Sequence, residues 1–369
     1  MTTLRFLFLE PFCGGSHRDF AEGLTTHSRH RIERLEMPAR FWKWRMRGAA
    51  LYFAQRIDFG AHYHGLIVSS LMSLSDLKAL WRGPFPPALL YFHENQFSYP
   101  LSPGETMDYQ YGFTHIASAL AADRVLFNSA YHRRTFLNAL PGFIRMMPDC
   151  RPGGLPEAIA AKSEVVYPGC HFDSLLDPPA PLTEPPLIIW NHRWEHDKNP
   201  EAFFQALTAM RDRGKRFRVA LLGERYTAVP QVFSTAAQLL GDRLVRSGRI
   251  AGRSAYYRQL SQGAIVISTA LQENFGIAVV EAIRHGCVPL LPARLSYPEL
   301  VPPEWHAELL YVDQADLEDK LARLLDNIHA FEALRPALAA AMKRFAWPRT
   351  VCQFDEELER LAQRNAGRC

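Results

Sequence analysis

Two loops in the second half of the chain carry charged side chains directly after runs of apolar residues. The run 187–191 leads into Arg193 and Lys198, just before a helix predicted to begin at Pro200. Two cations beside the positive end of a helix dipole suit a ligand with two negative charges, such as a diphosphate. A solvated basic loop is the alternative that these residues leave open.

The second loop follows the run 264–269 and combines carboxylates with a glycine turn: Glu273, Asn274, Phe275, Gly276 and Glu281. We expect the backbone amides of the middle three residues to face a phosphate, because a helix N-terminus presents unpaired N–H groups. Glu273 is then predicted to lie nearest a bound sugar. Glu281, farther along the helix, is predicted to accept hydrogen bonds from ribose hydroxyls.

Two loops in the first half follow apolar runs in the same way. The run 4–9 leads towards Gly14 and Gly15, ahead of a helix predicted to begin near Ser16. This turn either lets a phosphate approach backbone N–H groups or is a tight turn with a serine cap.

The run 88–92 leads into four polar residues: His93, Glu94, Asn95 and Gln96. Such a group can hydrogen-bond a diol or transfer a proton, while a helix-capping loop is the alternative.

Positive charge is concentrated in segment 27–47, which has a net charge of +5 against +4 for the whole chain. Its cations are Arg29, Arg31, Arg34, Arg40, Lys43, Arg45 and Arg47. Phe41, Trp42 and Trp44 interleave with them, and exposed aromatic rings stack on unpaired bases while cations bind phosphates. Alternatively, both tryptophans belong to the core of an amphipathic helix. We expect Arg40, Lys43 and Arg47 to share a helical face.

The elements that must position these loops are predicted from the alternation of short apolar runs with helical periodicity, which is typical of parallel sheets covered by helices. The predicted strands are 4–9, 65–69, 88–92, 124–127, 164–167, 187–191, 217–222, 264–269 and 288–291. Five prolines within 177–186 predict an interdomain linker. The sequence therefore indicates an α/β protein with domains at 1–178 and 187–346.

Helix signals support this division. Asn199 is expected to cap the helix that begins at Pro200. A last helix within 347–369 carries Val351, Phe354, Leu358 and Leu361 on one stripe, so it needs an apolar surface to cover.

Composition excludes several classes of protein. The 369 residues are 48% hydrophobic, which excludes a disordered chain, and no apolar run reaches the roughly 18 residues of a membrane helix. The six cysteines are scattered without a Cys-x-x-Cys pair, so the sequence favours a reducing, cytoplasmic location over a zinc or disulfide framework.

Glu273 and Glu281 are separated by seven residues, and Arg193 and Lys198 precede them in a strand-to-helix loop. This arrangement resembles the signature of retaining glycosyltransferases with the GT-B fold. The resemblance implies two Rossmann-like domains facing across a cleft, with the nucleotide sugar mainly on the second domain. It also implies a final helix at 347–369 that crosses back to the first domain. The implied catalytic residues are Arg193, Lys198, Glu273 and His93.

The first-half sequences 9–17, 91–100 and 127–129 are similar to blocks of the tRNA-queuosine α-mannosyltransferase family. That family transfers mannose from GDP-mannose to the cyclopentenediol of queuosine at the wobble position of aspartate tRNA, so tRNA and GDP-mannose are the implied partners. Gly14 and Gly15 are implied to join the donor site. The implied acceptor-binding residues are His17, Glu94, Asn95, Gln96, Arg40, Lys43, Trp44 and Arg47.

No cofactor is expected, and no two aspartates stand two residues apart, as in the metal-binding pair of other transferases, so no metal is expected either. A lipid or small-molecule acceptor remains an alternative, with segment 27–47 seated on an acidic membrane surface. A non-catalytic protein that binds nucleotide sugar or RNA on the same scaffold is a further alternative.

Overall fold

The chain forms two compact units in a computed structural model, which describes residues 3–97, 99–100, 106–172, 181–224 and 229–366, with side chains up to 363. The first unit comprises Met1–His171 and Phe345–Cys369, and the second comprises Phe172–Arg344. Each unit contains a six-stranded parallel sheet, so the predicted α/β class is confirmed. Part of the predicted proline linker, residues 177–180, lies outside the described residues.

The first unit alternates strands and helices along the chain. Its elements are β1 (Arg5–Cys13), α1 (Gly15–His27), β2 (Arg31–Pro38), α2 (Trp42–Ala54), β3 (Gly65–Ser69), α3 (Leu74–Leu80), β4 (Ala88–Phe92), α4 (Tyr109–Ala121), β5 (Arg124–Phe127), α5 (Ala130–Arg145), α6 (Leu155–Ala160) and β6 (Ser163–Val165). The strand order is β2-β1-β3-β4-β5-β6. Every residue of β3, β4 and β5 is buried, as expected for parallel strands covered on both faces.

The second unit follows the same alternation. Its elements are β7 (Leu187–Trp190), α7 (Pro200–Asp212), β8 (Arg218–Leu221), α8 (Ala236–Leu240), β9 (Leu244–Ser247), α9 (Arg253–Ser261), β10 (Ile265–Ile267), α10 (Ile277–Arg284), β11 (Val288–Pro292), α11 (Tyr297–Leu300), α12 (His306–Leu309), β12 (Leu310–Tyr311), α13 (Gln314–Asp326) and α14 (Arg335–Met342). The strand order β12-β11-β10-β7-β8-β9 is that of a doubly wound sheet. The order in which successive strands are added to the sheet reverses between β7 and β10, and ligands bind at this point in such folds.

The last helix, α15 (Trp347–Ala366), belongs to the first unit, as predicted. Its apolar stripe joins the core formed by β1 and α1, and Phe354 and Leu358 are at most 2% exposed. Trp347 fills the space beside Gly23, where an added Cβ would lie 2.0 Å from the indole ring. Arg124 Nη2 of β5 lies 2.6 Å from Glu357 Oε2 of this helix, an ion pair that is largely buried.

Two predictions about local structure were wrong or incomplete. Strands β2, β9 and β12 were not predicted, and each is an edge strand of its sheet. Asn199 precedes α7 but forms no capping hydrogen bond through its side chain, because its backbone is left-handed, with φ of 48°. Among the described residues, no helix has both the length and the apolar character needed to cross a bilayer.

Candidate active site

The two charged loops of the second unit leave the carboxyl ends of β7 and β10, which are neighbours at the point where the strand order reverses. This placement brings Lys198 and Glu273 together, with Nζ 3.3 Å from Oε2. Lys198 Nζ also donates to the carbonyl of Gln272 at 2.8 Å and lies 3.1 Å from Asp197 Oδ2. The ammonium is only 7% exposed, so its three donors already have partners within the loop pair.

Arg193 lies in the same loop but is 47% exposed. Its guanidinium is 3.0 Å from Glu195 Oε2 and 4.0 Å from Asp197 Oδ2. The two cations are thus surrounded by three carboxylates, counting Glu273. The two cations were predicted from the sequence, whereas Glu195 and Asp197 were not, although both stand in the same loop. Asp197 is 1% exposed and pairs with Lys198 inside the loop.

The glycine turn after Glu273 ends at the first residue of α10, with Gly276 in a left-handed conformation at φ of +96°. Ser296 Oγ donates to the carbonyl of Phe275 at 3.0 Å and fixes the turn from the other side. Asn274 is buried and its Oδ1 accepts a hydrogen bond from Gln272 Nε2 at 3.1 Å. The side chains of Ser296 and Gln272 therefore hold the turn in place.

Glu281 lies on α10, and its Oε1 accepts a hydrogen bond from Tyr257 Oη at 3.0 Å. Tyr257 lies on α9 and is buried, so the carboxylate is fixed between two helices. The sequence gives no sign of this tyrosine partner, because the contact joins residues 24 positions apart.

In the first unit, Glu10 lies at the centre of a buried polar cluster on the carboxyl side of the sheet. Its Oε1 accepts hydrogen bonds from Ser69 Oγ of the neighbouring strand β3, at 3.3 Å, and from the Phe12 backbone N–H, at 2.9 Å. His17 Nδ1 is 3.2 Å from the same oxygen, and the imidazole rings of His17 and His93 lie 4.0 Å apart between centroids. The structure thus brings the predicted His17 and His93 together and adds Glu10, which the sequence analysis missed.

Burial and the neighbouring rings of His17 and His132 hold the pKa of His93 well below its usual value. Desolvation also lowers the pKa of three other buried histidines, to about 4 for His115 and to about 3 for His132 and His192. These three (His115, His132 and His192) are called the buried histidines below. All are neutral at pH 7.

The other predicted loop residues of the first unit have contacts outside this cluster or are partly exposed. Gly14 approaches Ala39 so closely that an added Cβ would lie 2.4 Å from the alanine methyl, and this packing accounts for a glycine there. The Glu94 carbonyl accepts a hydrogen bond from Ser70 Oγ, and Asn95 is buried, with Oδ1 accepting from the Phe97 N–H. The remaining two predicted residues, Gly15 at the first position of α1 and Gln96, are exposed and half-buried respectively.

The four predicted basic and aromatic residues are all exposed, and we call them the basic patch: Arg40, Lys43, Trp44 and Arg47. Trp44 is 76% exposed, so the alternative that placed it in a helix core is wrong. The predicted helical face is also wrong, because α2 begins at Trp42 and the left-handed Phe41 separates Arg40 from it. Arg47 donates a hydrogen bond to Gln110 Oε1, and Trp42 packs against Tyr111.

Among the described residues, one group has the side chains and spacing to hold a metal ion: Glu10, His17 and His93, whose potential ligand atoms lie within 4.8 Å of one another. Two imidazoles and one carboxylate suit a transition metal.

Comparison with known proteins gives this geometry a family. Residues 5–170 match the model described as tRNA-queuosine alpha-mannosyltransferase N-terminal, and residues 175–340 match glycosyl transferases group 1. A tRNA-queuosine alpha-mannosyltransferase of Drosophila melanogaster is 39% identical over 310 residues, which cover 81% of this chain and 82% of that protein. The chain belongs to the tRNA-queuosine alpha-mannosyltransferase family. It is a glycosyltransferase, as predicted.

Solved structures show that this family member has the GT-B fold. Sucrose-phosphate synthase from Thermosynechococcus elongatus matches with a TM-score of 0.71 at 16% identity, over 97% of this chain and 99% of that one. The catalytic domain of starch synthase IV from Arabidopsis thaliana, bound to ADP and acarbose, matches with a TM-score of 0.71 at 12% identity, over 98% and 100%. The roles of the individual site residues stay predictions.

Proposed function

We propose that the enzyme transfers mannose from GDP-mannose to the cyclopentenediol of queuosine at the wobble position of aspartate tRNA. The observation that carries the proposal is the 39% identity to a protein of that name, together with a family-specific match over 5–170. We also propose a cytoplasmic location, because the acceptor is a tRNA and the cysteines are scattered.

In this proposal, Arg193 and Lys198 stabilise the diphosphate as it departs with the electron pair of the broken sugar–oxygen bond. The longest of the three Lys198 contacts is the one to Glu273, at 3.3 Å. A diphosphate oxygen can replace that carboxylate, which frees Glu273 to hydrogen-bond the sugar. The α10 N-terminus supplies amides for the phosphate, and Glu281 binds the ribose.

We further propose retention of the anomeric configuration and no requirement for a metal, since cationic side chains supply the charge that a metal supplies elsewhere. His93 is proposed to hydrogen-bond the acceptor hydroxyl, and the basic patch to bind the anticodon arm through phosphates and unpaired bases.

The decisive experiment incubates the enzyme with queuosine-containing tRNA and a panel of nucleotide sugars, followed by mass spectrometry of the nucleosides. We expect one added hexose with GDP-mannose, an α linkage by NMR, and unchanged turnover in EDTA. The matched control is the same tRNA with guanosine at the wobble position, which has no diol to accept the sugar. A β-linked product, or transfer that depends on added Mg²⁺ or Mn²⁺, would contradict the corresponding part of the proposal.

The exposure of Trp44 and Phe41 beside cations also fits a lipid acceptor at an acidic membrane surface. Binding to anionic vesicles with no salt-sensitive binding to the anticodon stem-loop would favour this second function.

A further inference from the structure

The buried cluster in the first unit contains two polar atoms without a hydrogen-bond partner among the described residues: Glu10 Oε2 and His93 Nε2. They lie 4.0 Å apart, and the Glu10 side chain is fully buried while that of His93 is 8% exposed. All the hydrogen bonds that Glu10 accepts go to its other oxygen, Oε1. One carboxylate oxygen is therefore held by the fold, and the second is directed towards the imidazole.

Both atoms carry a cost when they remain unpaired, because a buried polar group without a partner loses its hydration and gains nothing in exchange. A movement of about 1 Å would bring the pair to the 2.7–2.9 Å of a charge-assisted hydrogen bond. Such a bond requires that the imidazole proton is on Nε2, since the carboxylate can only accept.

We propose that Glu10 is a positioning residue, which fixes the His93 imidazole with its proton on Nε2 and leaves Nδ1 as the acceptor for the hydroxyl that receives the sugar. The proposal rests on the proposed function, in which His93 contacts that hydroxyl. A neutral imidazole has one donor and one acceptor nitrogen, so the tautomer decides whether it can receive a hydrogen bond from a hydroxyl at Nδ1.

The location of Glu10 supports this role. It lies on β1 at the point where the strand order of the first sheet reverses, between β1 and β3, and its bond to Ser69 spans that point. Ligands bind at such points in open α/β sheets. A carboxylate that only completed the fold would gain nothing from burial there, since an ionised carboxylate is costly to bury without a partner for each oxygen.

The first test replaces Glu10 by Gln, which keeps the size and removes the charge. We expect kcat for sugar transfer to fall by about 10²-fold or more, the scale of losing a correctly placed proton-transfer partner, with the KM for the nucleotide sugar unchanged. Glu10→Asp keeps the charge and should restore part of the loss. The matched control is Glu36→Gln, because Glu36 is paired with Glu10 in register on the neighbouring strand but is exposed.

A second test reads the tautomer directly and needs no substrate. In protein labelled with ¹⁵N-histidine, with the His93 signals assigned through His93→Gln, we expect the proton on Nε2 in the parent and a shift towards Nδ1 in Glu10→Gln. A merely structural glutamate would lower the melting temperature and leave the tautomer unchanged.

Three results would overturn the proposal: a parent His93 with its proton on Nδ1, a folded Glu10→Gln with the kcat of the parent, or one equivalent of zinc that is bound by the parent and lost in Glu10→Gln. The last result would make the cluster a metal site. If the parent has the expected tautomer but transfers no sugar to queuosine-containing tRNA, the proposed function fails and the positioning role of Glu10 stands.

Discussion

The substitution Trp44→Ala tests the basic patch, because the exposure of this side chain separates an RNA-binding role from a structural one. Trp44 is 76% exposed, so only about a quarter of the ring is covered by the protein. Since a fully buried aromatic side chain covers about 150–250 Å², the lost burial is roughly 40–60 Å² and the expected cost in free energy of unfolding is about 1–1.5 kcal/mol. A melting temperature lower by about 2–6 °C follows for a unit of this size.

The expected effect on RNA is larger. Base stacking on an aromatic ring contributes about 1–3 kcal/mol, so the affinity for the anticodon arm should fall by about 5- to 150-fold. Both quantities are measured on the same variant, by thermal unfolding and by fluorescence anisotropy with labelled stem-loop RNA. Leu51→Ala is the matched control, because Leu51 is 58% exposed on the same helix and has no ring to stack.

A Trp44→Ala variant that binds RNA as tightly as the parent would contradict the RNA-binding role of Trp44. This role would also be refuted by a loss of 3–5 kcal/mol in stability, the cost expected for a core tryptophan.

Three further perturbations are expected to give the following results. Arg193→Ala should lower turnover by roughly 10²-fold or more, the scale of one lost electrostatic contact in the transition state. Lys198→Ala should lower turnover to the same extent. The melting temperature of Lys198→Ala must also be measured, because this substitution removes the ion-pair partner of the buried Asp197. Alanine at all three cations of the basic patch should reduce the salt slope of tRNA binding by about 2–3 units and leave donor affinity unchanged; an unaltered slope would remove the patch from the RNA site. The buried histidines have folded pKa values of about 3–4, below the value of 6.5 in the unfolded chain. Their contribution to stability is therefore complete above pH 6.5 and is lost as the pH falls from 6.5 towards 4, by about 1.4 kcal/mol in free energy of unfolding per histidine and pH unit. A melting temperature that does not fall between pH 7 and 5.5 would contradict this.

The sequence predicted the central strands of both sheets and missed the edge strands β2 and β9 for a physical reason. A strand covered on both faces needs a continuous apolar run, and β3, β4 and β7 each have one. An edge strand is partly solvated and carries charges that discourage pairing with other chains. Five of the eight residues of β2 are charged or proline, and three of the four residues of β9 are exposed, so neither resembles a buried strand in composition.

The candidate site was predictable where one loop carries several polar residues and not where it depends on contacts between distant residues. Arg193 with Lys198, and Glu273 with Glu281, stand within short segments after recognisable strands. The contact between Glu281 and Tyr257 joins two helices that only the folded unit brings together. The cluster around Glu10 likewise joins residues that are distant along the chain. A glutamate that directly follows an apolar run is the signal that could have identified Glu10.

The docking of Trp347 beside Gly23 has a consequence for the order in which the chain acquires its structure during synthesis. Helix α15 supplies part of the core around β1 and α1, yet the ribosome makes it only after the whole of the second unit. The unit that is translated first is therefore completed last. Its apolar surface near Phe20 and Tyr91 stays uncovered while roughly 170 further residues are added, at about 5–20 residues per second. Nascent chains should therefore expose this apolar surface for about 10–30 seconds before α15 covers it.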